Sequence, residues 1–393
     1  MALVSQLRRS TPRQRARYKS PTRAARVRIL RCLIGLASSL TLAVPVTSCS
    51  DNSPTQPTSI LTSPDTALML CPASIQRQSV DALPVQVTWP LPTVAGIPVD
   101  KGSYAPAPGT SFPIGTSTVT FTADNPSLGG SCSFIITITP PDPKLLVSRF
   151  MAFGDSITEG FVGNGFLPAG VSPRDIPALL RAAKGRPIPG ISQAVQPLNS
   201  YPAQLQNLLT STYHAQIVVV ANEGRSGERA SEGASRIVSS LLSTQPEVVM
   251  LFEGFNDIDA ALTDRPLGVT TPIDVSPIAD ELRSIVERVQ EQGAEVLLAT
   301  LTPVTSVREQ TDPGTQAAIT ALNSEILGMG GLAGVAGVVD LHAMLDGIPG
   351  IIGSDGFHPT VAGYRRIAEI FFADIVSRYD VTPRAPAFTT VRQ

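Results

Sequence analysis

The sequence predicts two domains of different class: an immunoglobulin-like β-sandwich over residues 67–140, then an α/β domain over residues 145–380. The second is expected to be a three-layer α/β/α sandwich on a five-stranded parallel sheet. Two patterns carry this reading. Residues 67–139 alternate apolar with polar side chains in short runs broken by Pro and Gly, as half-buried strands do. From Lys144 onward, continuous Val, Leu and Ile runs alternate with stretches of helical spacing, as for strands buried on both faces between helix layers. A third observation bears on chemistry. Four motifs, each downstream of a strand-like run, are Gly154-Asp155-Ser156-Ile157-Thr158, Ser226-Gly227-Glu228, Gly254-Phe255-Asn256-Asp257 and Asp355-Gly356-Phe357-His358-Pro359.

Residues 1–48 read as an address. They hold ten of the chain's 30 basic residues and no acid. The basic lead runs into an apolar stretch, Leu33 to Val46, too short and too interrupted by Gly and Ser to span a bilayer. That stretch ends at Val46-Thr47-Ser48-Cys49, which resembles a bacterial lipobox. The resemblance implies that Cys49 is lipidated and becomes the new N-terminus. An ordinary cleaved signal or an uncleaved anchor are the other readings, and Arg8-Arg9 as a twin-arginine signal stands in a poor context. On the lipoprotein reading the chain is exported to the bacterial cell envelope and meets the membrane through this N-terminal anchor. Ordinary secretion is the alternative.

Removing residues 1–48 leaves 20 basic against 32 acidic residues, a net charge of −12. So acidic a chain argues against a nucleic-acid partner, because nothing offsets phosphate repulsion. Residues 49–66, rich in Ser, Thr, Pro and Asn, form a flexible tether with too little apolar surface to order itself. Of the four cysteines, Cys32 leaves with the signal and Cys49 carries lipid. Cys71 and Cys132 remain as one pair, which an oxidising compartment makes into a disulfide. Closing so long a loop contributes about 4 kcal/mol on the chain-entropy model. Two unpaired buried thiols are the alternative.

In the sandwich segment, Val85 to Trp89, Ser117 to Thr122 and Ser133 to Thr139 read as strands among seven or so. Cys71-Pro72, Val87-Thr88-Trp89-Pro90, Phe112-Pro113-Ile114-Gly115-Thr116, Val119 to Asp124 and Cys132-Ser133-Phe134 resemble a hyalin repeat domain. That resemblance implies a β-sandwich serving adhesion or spacing, without catalysis. Residues 141–144 then form a stiff Pro-rich linker.

In the α/β segment, Val147 to Phe153, Ile217 to Ala221, Val248 to Phe252, Val296 to Thr300 and Val338 to Leu341 read as strands. Helices are expected at Tyr201–Leu209, Ala230–Leu242, Ile278–Gln292, Thr315–Leu327 and Val361–Ser377. Residues 381–393 read as a disordered tail. The Gly- and Pro-rich stretch from Phe161 to Ser200, with Phe161, Phe166 and Leu167 near its start, is either a lid over a site or a variable surface insertion.

Ligands of open parallel sheets bind beyond the carboxyl ends of the strands, so residues far apart in the chain can converge there. Ser156 is placed to start a helix, whose free N–H groups suit a developing oxyanion. Asp355 and His358, three apart, can fold so that the carboxylate reaches Nδ1 while Nε2 faces a hydroxyl. Pro359 fits the first position of the helix that follows. His342, after the last strand, is the rival base. Gly227 lets a backbone N–H approach without a Cβ, and Asn256 supplies a neutral amide donor. Each reading has a bland counterpart as a turn or cap, and Gly224 is an alternative to Gly227.

Taken in order, the four motifs resemble the SGNH (GDSL-type) hydrolase family from about Leu146 to Tyr379. The resemblance implies a flavodoxin-like fold and an ester hydrolase of lipase type. It implies Ser156 as nucleophile, His358 as base and Asp355 as orienter. The Ser156 N–H, the Gly227 N–H and the Asn256 side chain are implied as oxyanion donors. Glu228 stands where many relatives have Asp, which affects loop support. No cofactor is expected: no phosphate-binding glycine loop is present, and histidines and free thiols are too few for a metal cage. The expected activity is that of an exported serine esterase, a monomer acting on small-molecule or glycan esters, acetylated glycans and lipid esters among them. The competing reading is a surface-anchored adhesion protein whose hydrolase domain is inert.

Overall fold

The computed structural model describes residues 68–163, 195–266 and 271–385, together with Leu179 and Ala182. The leader 1–48, Cys49, the tether 49–66, residues 386–393 of the tail and most of the Phe161–Ser200 stretch lie outside the described residues.

The first domain contains β1 (Met69–Leu70), β2 (Ile75–Gln78), β3 (Val85–Gln86), β4 (Thr93–Val94), β5 (Ile97–Pro98), β6 (Gly102–Ala105), β7 (Ser111–Phe112), β8 (Gly115–Ala123) and β9 (Ser131–Thr139). The orders β2-β9-β8-β6 and β1-β4-β5 make its two larger sheets, and β3 pairs with β7. β8 and β9 pair antiparallel along their length and bury alternate residues, among them Val119, Phe121, Phe134, Ile136 and Ile138. Only Val85 and Gln86 of the run to Trp89 join a ladder. Trp89 instead packs edge-on against Tyr104, Phe112 and Phe134 inside the core. Cys71 and Cys132 form the disulfide, with Cα atoms 5.6 Å apart, joining the segment after β1 to β9.

The second domain follows as β10 (Arg149–Gly154), α1 (Ser156–Glu159), α2 (Tyr201–Thr212), β11 (Val219–Gly224), α3 (Ala230–Thr244), β12 (Val248–Phe252) and α4 (Phe255–Thr263). It continues as α5 (Ser276–Glu291), β13 (Glu295–Ala299), α6 (Ser306–Thr311), α7 (Thr315–Gly328), β14 (Val335–Val339), α8 (Leu341–Leu345) and α9 (Val361–Tyr379). All five strands are parallel in the order β11-β10-β12-β13-β14, the flavodoxin-like doubly wound arrangement. Every residue of β12 is buried, as continuous apolar runs require when helices cover both faces. α5 turns Ile278, Leu282, Ile285, Val286 and Val289 inward, while α9 packs Phe371 against Tyr201 of α2. The last strand lies a few residues earlier than the run Val338–Leu341 suggests. The Asp340 carboxylate accepts the Ala343 N–H and caps α8, so the chain is already helical at Leu341.

One acid sits inside this packing. Glu253, just past β12, is 1% exposed, and neither carboxylate oxygen has a hydrogen-bond partner among the described residues. A Cβ at Gly233 of α3 would lie 2.5 Å from its Oε2, so the glycine lets the carboxyl pack directly against the helix. Burial, then the nearby Glu228, Asp155 and Asp257 carboxylates, push Glu253 well above the ordinary carboxylate range, with Arg236 opposing. The folded state therefore holds a proton on Glu253 that the unfolded chain releases. Stability is fullest below the unfolded value and falls as pH rises toward the folded one. Glu253→Gln removes this slope. In thermal melts from about pH 5 to about pH 9, its Tm is expected to rise relative to wild type as pH increases; a constant difference would refute the buried proton.

Candidate active site

β10 lies between β11 and β12, in a register that sets Gly154 opposite both Gly224 and Phe252. The three strands end level. Asp155-Ser156, Arg225 to Gly227 and Glu253 to Asn256 therefore leave the sheet along one edge, the carboxyl edge where such sheets bind ligands.

Asp155 caps α1, its Oδ1 accepting the Ile157 N–H at 2.9 Å. Ser156 is the first residue of that helix, so its own N–H has no intrahelical acceptor. Its Oγ lies 2.8 Å from His358 Nε2. On the far side of the ring, His358 Nδ1 is 2.7 Å from Asp355 Oδ2. The second carboxylate oxygen of Asp355 accepts the Phe357 N–H at 3.2 Å and the His358 N–H at 3.1 Å. A carboxylate only accepts, so the proton sits on Nδ1 and Nε2 is free to take one from the hydroxyl.

The imidazole has no freedom to swing away. The Phe161 ring stacks on it with centroids 4.2 Å apart, and the Phe357 ring lies 3.8 Å away at a tilt. The His358 carbonyl accepts the Gly353 N–H at 2.8 Å, and the Pro359 carbonyl accepts the Gly163 N–H at 3.0 Å. Pro359 is not the first helical residue. Thr360 caps α9, its Oγ1 accepting the Gly363 N–H at 3.1 Å, and the helix begins at Val361. A threonine cap satisfies a free N–H that proline could not.

Gly227 is buried with φ at +80°, a conformation that favours glycine, and among the described residues nothing accepts its N–H. Gly224, the alternative, is already committed: its N–H donates to Asn222 Oδ1 at 2.9 Å. Asn256 lies in the first turn of α4 and not in a free turn. Its Nδ2 donates to the Glu228 carbonyl at 2.9 Å, while its distance to Asp155 Oδ2 is 3.5 Å. The second contact is at the long limit of a hydrogen bond, so that N–H can be redirected to a substrate oxygen.

Burial raises Asp155 to about 7, partly opposed by its bond from Ile157 and reinforced by Asp257 and Glu228. Burial likewise raises Asp257 to about 6, although its carboxylate accepts the Ala230 N–H at 3.0 Å. That bond docks the start of α3 on α4. The rival base, His342, sits on α8 with Nε2 3.3 Å from Gln316 Nε2, whereas His358 holds the Ser156 contact. His214 is exposed, 3.7 Å from Asp142. Among the described residues no cluster of His, Cys, Asp or Glu is arranged to hold a metal ion.

Phe161 is buried beneath His358, and it pairs with Val195, so the chain leaves and returns at one point. Phe166 and Leu167 lie outside the described residues. Motif reading alone also passes over Glu159, whose carboxylate accepts the Ser226 N–H at 2.8 Å, and Arg236, whose Nε donates to Glu228 at 2.8 Å. An acid one helical turn after Ser156 was the available sign of the first.

Residues 152–366 match the GDSL-like Lipase/Acylhydrolase family, and residues 63–138 match the HYR domain. Three solved structures illustrate the likeness. The lipase/acylhydrolase from Enterococcus faecalis is 22% identical, covering 61% of this chain and 100% of that one, with a TM-score of 0.43. A variant of an acetyl xylan esterase from Geobacillus stearothermophilus is 19% identical, covering 58% and 94%, with a TM-score of 0.42. The psychrotrophic esterase EstA from Pseudoalteromonas sp. is 17% identical, covering 58% and 96%, with a TM-score of 0.39. No curated protein matches. With over half its length matched and its motifs in the family's order, the chain belongs to the GDSL-like lipase/acylhydrolase family.

Proposed function

We propose that this chain is an exported serine esterase that hydrolyses carboxylic esters through Ser156, His358 and Asp355. One observation carries the reading: the unbroken line from Ser156 Oγ to His358 Nε2 at 2.8 Å, and from His358 Nδ1 to Asp355 at 2.7 Å. An inert hydrolase domain has no need of this buried line of polar contacts.

The chemistry follows from the geometry. His358 Nε2 removes the Ser156 proton as Oγ attacks the ester carbonyl carbon, and the carbonyl oxygen becomes an oxyanion. Asp355 stabilises the imidazolium that forms. The Ser156 N–H, the Gly227 N–H and the Asn256 amide receive the oxyanion, each such donor typically contributing ~3 kcal/mol in the transition state. Collapse breaks the ester C–O bond, the imidazolium gives its proton to the departing alcohol, and an acyl-Ser156 remains. Water, deprotonated by His358, repeats the sequence and releases the acid.

The space beside Asn256 is small: a gap between Asn256, Ile258, Val304 and Phe357, lined also by Asp259 and Arg308, holds about 10 Å³, room for about one water. The serine-esterase reading leaves acetylated glycans and small lipid esters as substrate classes. On the lipobox reading, Cys49 carries the acyl chains that hold the enzyme at the cell envelope, with residues 67–140 as a spacer domain.

p-Nitrophenyl acetate should be hydrolysed, and acetate should be released from acetylated xylan. Ser156→Ala should lower kcat by about 10⁶-fold, and Asp355→Asn by about 10⁴-fold. Equal rates for wild type and Ser156→Ala would remove the esterase reading. Mass spectrometry of membrane-derived protein should find Cys49 as the first residue, bearing acyl chains; an unmodified N-terminus elsewhere would reject the anchor.

A further inference from the structure

Gly227 poses a problem for the proposed site. Its N–H must stay aimed at the oxyanion, yet glycine has the least restricted backbone of any residue, and the segment Arg225 to Arg229 belongs to no helix or strand. An oxyanion donor is effective only when held in place before charge develops. Its two neighbours are both fixed.

Ser226 is tied to the helix of the serine. One oxygen of the Glu159 carboxylate, Oε2, accepts the Ser226 N–H at 2.8 Å and also the Ser226 hydroxyl. Glu159 closes α1, and its own N–H donates to the Asp155 carbonyl at 3.0 Å. Position 226 is thereby referenced to the same helical turn that carries Ser156. The strand end supports this joint: a Cβ at Gly224 would fall 2.1 Å from Glu159 N, so β11 abuts α1 directly.

Glu228 is held from the other side. Arg236 of α3 grips its carboxylate with two donors, Nε at 2.8 Å and Nη2. The guanidinium is fixed in turn by the Glu223 carbonyl at 2.8 Å, by Ser240 Oγ at 3.0 Å and by the Phe153 ring 4.0 Å below Cζ. The Glu228 carbonyl accepts from Asn256, so the second neighbour of Gly227 is referenced to another oxyanion donor.

We infer that Glu159 is a positioning residue of this esterase site: its carboxylate sets the Gly227 N–H relative to Ser156, with the Arg236–Glu228 pair as the opposing restraint. The inference rests on the serine-esterase reading. Glu159 touches neither substrate nor His358. Its effect appears where the oxyanion is bound and not where the substrate ground state is bound.

The test uses p-nitrophenyl acetate and the full chain. Glu159→Ala should lower kcat by about 10- to 100-fold with KM within about twofold, less than the 10²–10³ expected for loss of a whole donor. A trifluoromethyl ketone, which forms an oxyanion adduct, should lose affinity by a similar factor. Glu159→Gln keeps one acceptor oxygen and should restore kcat to within about threefold of wild type. If Glu159→Ala fails to fold, Ser226→Ala carries the test, with a kcat loss of at least about threefold at unchanged KM. A folded Glu159→Ala with wild-type kcat, or a loss confined to KM, overturns the inference alone. A wild-type protein with no hydrolysis overturns the esterase reading and this inference with it.

Discussion

The constraint on which the rest depends is the register of one strand. β10 is paired on both sides, and Gly154 is opposite Gly224 on one side and Phe252 on the other. Because side chains alternate along a strand, a slip of one residue would turn Phe150 and Ala152 to the opposite face and displace Ser156 along the sheet. All of β10 beyond Arg149 is buried, so the helix layers on both faces oppose such a slip. The same pairing that fills the core therefore delivers three of the four motifs to one edge at one height.

The fourth motif arrives by a different route. His358 is 202 residues from Ser156, and no strand carries it to the edge. Its loop is instead built between fixed points: β14 and α8 before it, the Thr360 cap and α9 after it. Within the loop, Asp355 bonds to two backbone N–H groups as well as to the imidazole, so it shapes the turn that brings His358 back to it. Phe161 closes the arrangement from the serine side. Tyr364 of α9 donates its hydroxyl to the Phe161 carbonyl, linking the helix after the histidine to the segment after the serine.

Much of this was legible in the residues, for reasons that differ by position. Val248 to Phe252 is a continuous apolar run bounded by Glu247 and Glu253, so its ends coincide with a change of residue type and the strand matches the run. The run Val338–Leu341 has no such boundary, and the Asp340 cap, a local side-chain-to-backbone bond, decides where strand gives way to helix. Gly224 and Gly227 cannot be told apart by residue type. They differ in which N–H already has an acceptor, and that depends on the side chain of Asn222. Phe161 and His358 stack through tertiary packing, for which periodicity holds no sign. The sandwich strands were harder to bound than the buried ones, since a Trp89 drawn into an aromatic cluster leaves the ladder without changing the alternation.

The buried acids complete the electrostatic picture. Asp155, Glu228, Glu253 and Asp257 lie within interaction range of one another, and Arg236 is paired to Glu228 and Glu223. Negative charge behind the proposed oxyanion site is unfavourable in a medium of low polarity, where charges interact several times more strongly than in water. A fully ionised cluster would oppose the charge that the proposed donors would receive. Burial eases the conflict: it raises Asp155 to about 7 and Asp257 to about 6 and pushes the unpartnered Glu253 well above the ordinary carboxylate range, so the cluster carries less negative charge near neutral pH than four free carboxylates would. Asp155 and Asp257 are at the same time spent on backbone N–H groups of Ile157 and Ala230, where a carboxyl oxygen accepts in either protonation state. The carboxyl groups thus hold the strand-to-helix turns in shape whether or not they are ionised.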